Sequence, residues 1–299
     1  MRKMVMTAWV VCVVFALIVP AAAAEKKLVV GSKAFTEQRL LGQIMIQLLE
    51  KNGFKVDDKT GLGGTLVVRE ALVNKQIDIC MEYTGTALLT ILKAPQPIND
   101  PVKCHEEVKL LDAKNGVVWL PFIPFNNTYC LMMRRADAEK LNIKSISDLA
   151  TYVKDNPGKV AFGLNAEFYS RPDGYKPLQA AYDFKFPEDK IIKMDPGLLY
   201  KALKDGQVQV SMGFSTDGRI KEFDLLVLQD DKLYFPVYNP CVVVRQETLT
   251  AYPEIATIFA PLSQKLDTKT ITELNFQVDG EKKSAKDVAK EWLTKAGLL

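Results

Sequence analysis

Hydrophobic and polar positions alternate along the chain with two different periods. Short apolar runs such as KLVVGS (27–32) are bounded by turn residues, whereas TEQRLLGQIMIQLLEKNG (36–53) repeats apolar residues every three or four positions. The first pattern is typical of a buried strand and the second of an amphipathic helix. Because the two kinds of segment alternate along most of the chain, the pattern predicts an α/β fold.

Further segments of both kinds follow. Strands are predicted at FKVDDK, IDICMEYTGT, GVVWLPFIPF, TYCLMMRR, KVAFGL, VQVSMGF and within DLLVLQDDKLYFPVYNPCVVVRQETL. Helices are predicted after the glycine turn of GLGGTLVVREALVNKQ, at SISDLATYVKD, KPLQAAYDF and GLLYKALKDGQ, and over most of the tail beyond Tyr252. In the first helix, Thr36 is the predicted N-cap and Glu37 a first-turn carboxylate that complements the helix dipole.

Two extended segments rich in proline and asparagine divide the chain. LPFIPFNNTY (120–129) and YFPVYNPC (234–241) enclose about 110 residues with the pattern of an independent α/β unit. One interpretation is an inserted lobe on a double hinge, an arrangement that closes around small ligands. The other is a single large α/β domain with two ordinary connections, and the pattern alone leaves both open.

The first 24 residues have the features of a secretory signal peptide. Arg2 and Lys3 precede an apolar run over residues 5–19, and the alanines at 22–24 fit a cleavage site. An uncleaved membrane anchor is the alternative, but the run is short for a bilayer span of roughly 20 residues and Pro20 interrupts it. We therefore expect export to the periplasm and a mature chain of about 275 residues.

Charge and cysteine content narrow the function classes. The net charge of +3 includes two signal-peptide cations, so the mature chain is nearly neutral. A nucleic-acid surface needs a concentrated basic face, so nucleic acid is not an expected partner. Four cysteines remain in the mature chain: Cys80, Cys104, Cys130 and Cys241. In an exported protein they permit up to two disulfides, with four buried thiols as the alternative.

Signs of catalysis or metal binding are few. The single histidine, His105, lies in a charged, helical stretch without a nucleophile beside it, and we expect it to be a solvated surface residue. The G-x-S-x-G, H-E-x-x-H and S-x-x-K motifs are absent from the sequence. No cofactor or metal is expected, and a secreted hydrolase is a remote alternative.

Four aromatic residues lie where an apolar run meets a turn signal: Tyr83, Tyr129, Phe214 and Tyr238. Ligands of open α/β sheets bind at such strand ends. Clustered aromatic faces attract a cation that cannot donate hydrogen bonds, above all a quaternary ammonium group. The alternative for each ring taken singly is that it is part of a core.

Several motifs together resemble the substrate-binding proteins of osmoprotectant ABC importers. They are VVGSKAFTEQRLLGQ, GLGGTLVVREALVNKQIDICMEYTGTA, NNTY, SRPDGY, FSTDGRI and YNPCVVVR, which span the mature chain. The resemblance implies a two-lobed, type II periplasmic-binding-protein fold with a ligand cleft. Residues 25–127 and 239–299 would form the first lobe, and residues 128–238 the inserted lobe.

The resemblance also implies a binding site for glycine betaine, choline, carnitine or a related quaternary amine. Tyr83, Tyr129, Phe214 and Tyr238 would form the aromatic cage, with Asn127 supplying a backbone carbonyl to it. At the other end of the ligand, a carboxylate would meet Lys33, Thr86 and Arg171. Phe214 departs from the tyrosine usual in the family, and the lost hydroxyl leaves open both the affinity and the ligand. Another organic cation or an amino acid is the alternative ligand.

The implied partners are the small ligand and the permease and ATPase subunits of an ABC importer, with the protein itself expected to be a monomer. Docking onto a signalling receptor instead of a transporter is an alternative. Cys130 and Cys241 lie close to the two predicted hinges in sequence. This proximity suggests the hypothesis that a disulfide joins the two crossings.

Overall fold

The computed structural model describes residues 25–299, so the predicted signal peptide lies outside the described residues. Two five-stranded mixed sheets, both accompanied by helices, make up this part of the chain. The predicted α/β class is therefore confirmed. None of the helices in residues 25–299 combines the length and the apolar character that crossing a membrane requires.

The strands in chain order are β1 (Lys27–Lys33), β2 (Lys55–Gly63), β3 (Ile79–Tyr83), β4 (Val117–Phe122), β5 (Tyr129–Arg134), β6 (Phe162–Leu164), β7 (Ile191–Lys193), β8 (Val210–Phe214), β9 (Leu225–Val227) and β10 (Pro240–Arg245). One sheet has the order β2-β1-β3-β10-β4 and the other β7-β6-β8-β5-β9. In each sheet four strands run in the same direction, and the fourth in order, β10 or β5, is antiparallel to both of its neighbours. The two sheets thus repeat one topology.

The helices are α1 (Thr36–Lys51), α2 (Thr65–Val73), α3 (Thr84–Thr86), α4 (Pro101–Ala113), α5 (Arg135–Leu141), α6 (Ile146–Asp155), α7 (Ala166–Ser170), α8 (Tyr175–Tyr182), α9 (Pro196–Lys204), α10 (Arg219–Glu222), α11 (Gln246–Ala251), α12 (Glu254–Phe259), α13 (Leu262–Lys265), α14 (Thr268–Asp279) and α15 (Ala285–Lys295). The turn of α3 continues as a π-helix over Ala87–Ile91, and a 3₁₀ turn covers Glu188–Lys190. The predicted cap of α6 is present, because Ser145 and Asp148 form a capping box.

The start of α1 differs from the prediction. Phe35 is the N-cap residue, with extended backbone and no side-chain cap bond, and Thr36 is already helical. The Thr36 hydroxyl donates instead to Asp279 Oδ1 at 2.8 Å, at the end of α14. The predicted threonine cap is wrong because a distant carboxylate takes the hydroxyl that a cap would use.

The chain crosses between the two sheets twice, at residues 123–128 and 228–239. The crossings are hydrogen-bonded to each other: Asn127 N donates to the Tyr238 carbonyl at 3.2 Å, Tyr238 N to Asn126 Oδ1 at 2.7 Å, and Asn239 Nδ2 to the Phe125 carbonyl at 2.8 Å. The predicted lobe boundaries fall within these crossings, and movement of the lobes about them stays a prediction.

Gly85 allows the end of β3 to approach the second crossing. A Cβ atom at this position would lie 2.5 Å from the Val237 carbonyl oxygen. Any larger residue would push α3 away from the crossing, since real Cβ atoms do not come so close to a carbonyl. The glycine of the EYTGT motif is therefore a packing requirement.

The four cysteines of the described chain are buried free thiols, so the hypothesis of a Cys130–Cys241 disulfide is wrong. Cys130 lies on β5 in the core of the inserted part. Cys241 lies on β10 in a different core, together with Cys80, Cys104 and Trp119. Closeness to the hinges in sequence does not bring the two side chains into one core.

We expect thermal unfolding of the protein comprising residues 25–299 to be unchanged by dithiothreitol, because there is no crosslink to reduce. Differential scanning fluorimetry with and without the reductant measures this. Alkylation of the unfolded, unreduced protein should add four groups, one for each free thiol. Two added groups or none, read by mass spectrometry, would contradict the assignment.

Candidate functional site

A cavity of about 550 Å³ lies between the two sheets, a size usual for small-molecule sites. Its walls come from both sides of the cleft. All eight residues predicted from the sequence line it: Lys33, Tyr83, Thr86, Asn127, Tyr129, Arg171, Phe214 and Tyr238. Their contact with a ligand stays a prediction.

The aromatic residues meet because strand register brings them together. Tyr129 at the start of β5 is paired with Phe214 at the end of β8, and paired residues of antiparallel strands face the same side. Their ring centroids are 5.3 Å apart. Tyr238, in the second crossing, meets Tyr129 edge-on at 5.6 Å. Three of the four predicted rings thus form one continuous group.

Phe35 is a fifth ring that the sequence analysis missed. It lines the cavity, stacks on Phe214 with centroids 5.1 Å apart, and lies 6.4 Å from Tyr83 in a parallel arrangement. It thereby connects Tyr83 to the other rings. Stacking on Phe35 also holds the ring of Phe214, which lacks the hydroxyl that a tyrosine would have. The signal in the sequence was an aromatic residue two positions after Lys33, at the end of β1.

Lys33 forms a buried ion pair. Its Nζ lies 2.5 Å from Glu82 Oε1, and the two side chains are only 4% and 5% exposed. The same oxygen accepts the Tyr83 backbone N–H at 2.7 Å. The ammonium group also lies 5.0 Å from the centroid of the Tyr83 ring. Sequence analysis identified the lysine but not Glu82, its partner one strand away.

Arg171 is held by Asp173 in a bidentate pair. Its Nε donates to Oδ1 at 2.7 Å and one terminal nitrogen to Oδ2 at 2.5 Å. Tyr238 donates its hydroxyl to the same Oδ2 at 2.7 Å, and the guanidinium lies 5.2 Å from the centroid of the Tyr129 ring. Burial alone would lower the pKa of Arg171, but the acidic groups around it raise the pKa well above its ordinary value. The arginine therefore stays charged.

Glu167 connects the two sides of the cleft. It lies on α7 and accepts the Thr65 hydroxyl at 2.6 Å and the Thr65 backbone N–H at 3.3 Å, at the start of α2. Arg171 adds two weaker contacts, to Glu167 at 3.3 Å and across the cleft to the Thr86 hydroxyl at 3.4 Å. Burial would raise the pKa of Glu167, but Lys33, Arg171 and the Thr65 bonds outweigh it and lower the pKa. The carboxylate is thus charged at neutral pH.

Asn127 also uses its side chain, whereas the resemblance implies a role for its backbone carbonyl. Its Nδ2 donates to Glu37 Oε1 at 2.7 Å. Glu37 also accepts the hydroxyls of Tyr83 and Thr216 and the amide of Asn275. The predicted first-turn position of Glu37 in α1 is correct, but its carboxylate serves these distant side chains and is 3% exposed.

His105 does not line the cavity. It is half-buried on α4, its Nε2 lies 2.9 Å from the Leu120 carbonyl oxygen, and its ring meets Phe122 edge-on. The expectation of a solvated surface histidine is wrong because the ring packs against β4 and bonds to its backbone.

A family model described as "Substrate binding domain of ABC-type glycine betaine transport system" matches residues 26–295. A glycine-betaine-binding protein of Pseudomonas aeruginosa is 42% identical over 275 residues, with 90% of this chain and 88% of that protein covered.

Two further similarities bear on partners and fold. An ergothioneine transport permease/ergothioneine binding protein of Helicobacter pylori is 38% identical, and the match covers 92% of this chain but 48% of that protein. A solved structure of a glycine betaine/carnitine/choline ABC transporter protein has a TM-score of 0.73 and 31% identity, covering 91% of this chain and 99% of that one.

Thr65→Val is expected to weaken closure of the cleft, because a hydrogen bond to a charged acceptor contributes about 1.5–3 kcal/mol. Small-angle X-ray scattering of the ligand-free protein should give a larger radius of gyration for the variant than for the unmodified protein. Thr90→Val is the matched control, since the Thr90 hydroxyl has no hydrogen-bond partner within residues 25–299. Equal radii for all three proteins would show that the Thr65–Glu167 contact does not hold the cleft closed.

Proposed function

The chain belongs to the family of substrate-binding domains of ABC-type glycine betaine transport systems, and from this premise we propose that it captures a quaternary ammonium compound such as glycine betaine. The captured compound would be delivered to the permease and ATPase subunits of an ABC importer. This proposal places the protein outside the cytoplasm, in the periplasm, as a monomer without catalytic activity.

One observation carries the choice of ligand class: five aromatic rings surround a single cavity. A methylated ammonium has no N–H to donate, so it gains little from carbonyls or carboxylates as hydrogen-bond acceptors. The negative faces of aromatic rings attract it, with about 0.5–2 kcal/mol for each face. Several faces in one cavity therefore select this group over a hydrated metal ion or a primary amine.

Binding would proceed by closure of the two lobes around the ligand. Tyr83 and Lys33 belong to the first lobe and Tyr129 and Arg171 to the inserted one, so a ligand that touches all four stabilises the closed form. Differential contact with the closed form is the only means by which a ligand can shift such an equilibrium. The Thr65–Glu167 hydrogen bonds would add to this stabilisation.

The carboxylate of a betaine would be bound by Lys33, Thr86 and Arg171. The ammonium group of Lys33 makes one hydrogen bond within residues 25–299, to Glu82, and an ammonium group has three donors. It therefore has donors left for a ligand. Most of the donors of Arg171 are already directed at Asp173, Glu167 and Thr86, which leaves Lys33 the main candidate.

A second candidate is an organic cation without a carboxylate, such as choline. It is favoured by the same ion pairs, because Lys33 and Arg171 are each neutralised by a buried carboxylate. A ligand carboxylate would have to share these cations with the carboxylates of Glu82 and Asp173. An uncharged ligand hydroxyl does not need a cation of its own, so the existing ion pairs would not weaken its binding. The name of the Helicobacter relative, an ergothioneine binding protein, extends the range of betaine-type ligands worth testing.

A thermal-shift panel tests the ligand class, with glycine betaine, choline, carnitine, ergothioneine and amino acids as probes. We expect at least one quaternary amine to raise the unfolding temperature. Tyr83→Ala and Tyr238→Ala should then each weaken calorimetric binding of that compound by at least about tenfold, since each removes one ring face.

Tyr152→Ala is the control for the cage variants, because Tyr152 is a half-buried tyrosine on α6 away from the cavity. Unchanged affinity in both Tyr83→Ala and Tyr238→Ala would contradict the proposed aromatic cage. Stabilisation by amino acids alone would show that the ligand is an amino acid and not a quaternary amine.

The two candidates differ in their dependence on Lys33. Replacing the ion pair together, as Lys33→Met with Glu82→Gln, avoids leaving a buried charge without a partner. If Lys33 binds a ligand carboxylate, glycine betaine should lose about tenfold in affinity by calorimetry while choline changes less than about twofold. An equal change for both compounds would exclude this role for Lys33 and favour the cation without a carboxylate.

A further inference from the structure

Glu37 is unusual among the buried acids of the molecule. Residues 25–299 contain five buried carboxylates, and four of them are paired with a cation. These pairs are Glu82–Lys33, Asp112–Arg69, Asp173–Arg171 and Asp217–Arg219. In the described chain, Glu37 alone of the five has no lysine or arginine partner. An unpaired buried charge is costly, so its retention calls for an explanation.

Four neutral donors surround the Glu37 carboxylate. Oε1 accepts from the Tyr83 hydroxyl and the Asn127 amide, both at 2.7 Å. Oε2 accepts from the Thr216 hydroxyl at 2.5 Å and the Asn275 amide at 2.8 Å. An amide nitrogen can only donate, so each oxygen is an acceptor. Burial raises the pKa of Glu37 above its ordinary value, and the four hydrogen bonds to the carboxylate limit that rise without cancelling it.

The four donors come from distant parts of the chain. Tyr83 ends β3, Asn127 lies in the first crossing, Thr216 follows β8 in the inserted part, and Asn275 belongs to α14. Asn275 also donates to the Thr216 carbonyl at 3.1 Å. Glu37 therefore fixes the ring of Tyr83 relative to the first crossing, through Asn127, and relative to the inserted part of the chain, through Thr216.

Tyr83 transmits the charge of Glu37 to the cavity. A phenol whose O–H donates a hydrogen bond to a carboxylate is polarised, and the face of its ring becomes more negative. Tyr83 lines the cavity, the Lys33 Nζ atom lies 5.0 Å from the centroid of its ring, and its hydroxyl donates to Glu37. A ligand cation against this ring is attracted by the ring and, one ring away, by a carboxylate that forms no ion pair with a lysine or arginine within residues 25–299.

We propose that Glu37 is a positioning residue that determines the preference of the site for positive charge, with the bound ligand's ammonium group as the missing counter-ion. This inference rests on the proposed function and deepens it. It separates two properties of the cage: the rings provide a surface of suitable shape, and Glu37 makes that surface discriminate a cation from a neutral group of the same shape.

Matched probes distinguish charge from shape. Replacing the nitrogen of glycine betaine by carbon gives 3,3-dimethylbutanoate, and the same change in choline gives 3,3-dimethylbutan-1-ol. The readout is the ratio of the affinities for each cation and its isostere, measured by calorimetry and by competition for the weak binder. General loosening of the site would lower both affinities and leave this ratio unchanged.

Glu37→Gln in the protein comprising residues 25–299 should lower the cation-to-isostere ratio by about tenfold, because it removes the charge and keeps the shape. The affinity for the isostere itself should change far less. Glu50→Gln is the matched control, since Glu50 lies on the same helix but is exposed. The cation-to-isostere affinity ratio of Glu50→Gln should equal that of the unmodified protein.

Tyr83→Phe gives a second test that does not depend on the folding of Glu37→Gln. It keeps the ring and removes the hydroxyl that carries the effect, so the ratio should again fall. In the Glu37→Gln background it should have no further effect on the ratio. A ratio unchanged in both single variants, in a protein that binds a quaternary amine, overturns this inference and leaves the proposed function intact. A protein that binds none of the quaternary amines of the thermal-shift panel overturns both.

Discussion

A charge that leaves water needs a partner, and this requirement organises the cleft. Lys33 and Arg171 are almost entirely buried, and desolvating such groups costs several kcal/mol each. Glu82 and Asp173 offset that cost. Both acids also accept hydrogen bonds from residues that line the cavity: Glu82 from the backbone N–H of Tyr83, and Asp173 from the hydroxyl of Tyr238. The aromatic rings are therefore positioned by the same network that neutralises the cations.

Local pattern was sufficient for the fold class and for the approximate positions of most strands and of the first helix, α2, α6, α8 and α9. Strand ends, glycine turns and the cap at Ser145 are encoded within a few residues, so periodicity finds them. The topology that brings Tyr129 and Phe214 side by side is not local. The polar residues of the predicted site, Lys33, Thr86, Asn127 and Arg171, came from the resemblance to a known family. Phe35 was not predicted because its role depends on a contact with Phe214, 179 positions away, that no local pattern reports.

The acids that complete the site escaped prediction for a physical reason. Glu37 is bonded to Tyr83, Thr216 and Asn275, residues between 46 and 238 positions away, and no pattern along the sequence reports such contacts. The same limit produced the errors at Thr36, whose hydroxyl reaches Asp279, and at Cys130 and Cys241, which lie in separate cores.

The three hydrogen bonds between the crossings have a mechanical consequence. Two connections that are not bonded to each other would allow one lobe to slide and twist as well as rotate against the other. Two connections that are hydrogen-bonded together would act as a single hinge axis. In the proposed closure, rotation about this axis would keep the three hydrogen bonds, whereas sliding would break them. The search for the closed state would then run along a single angle, and little orientational entropy would remain for a bound molecule to restrict.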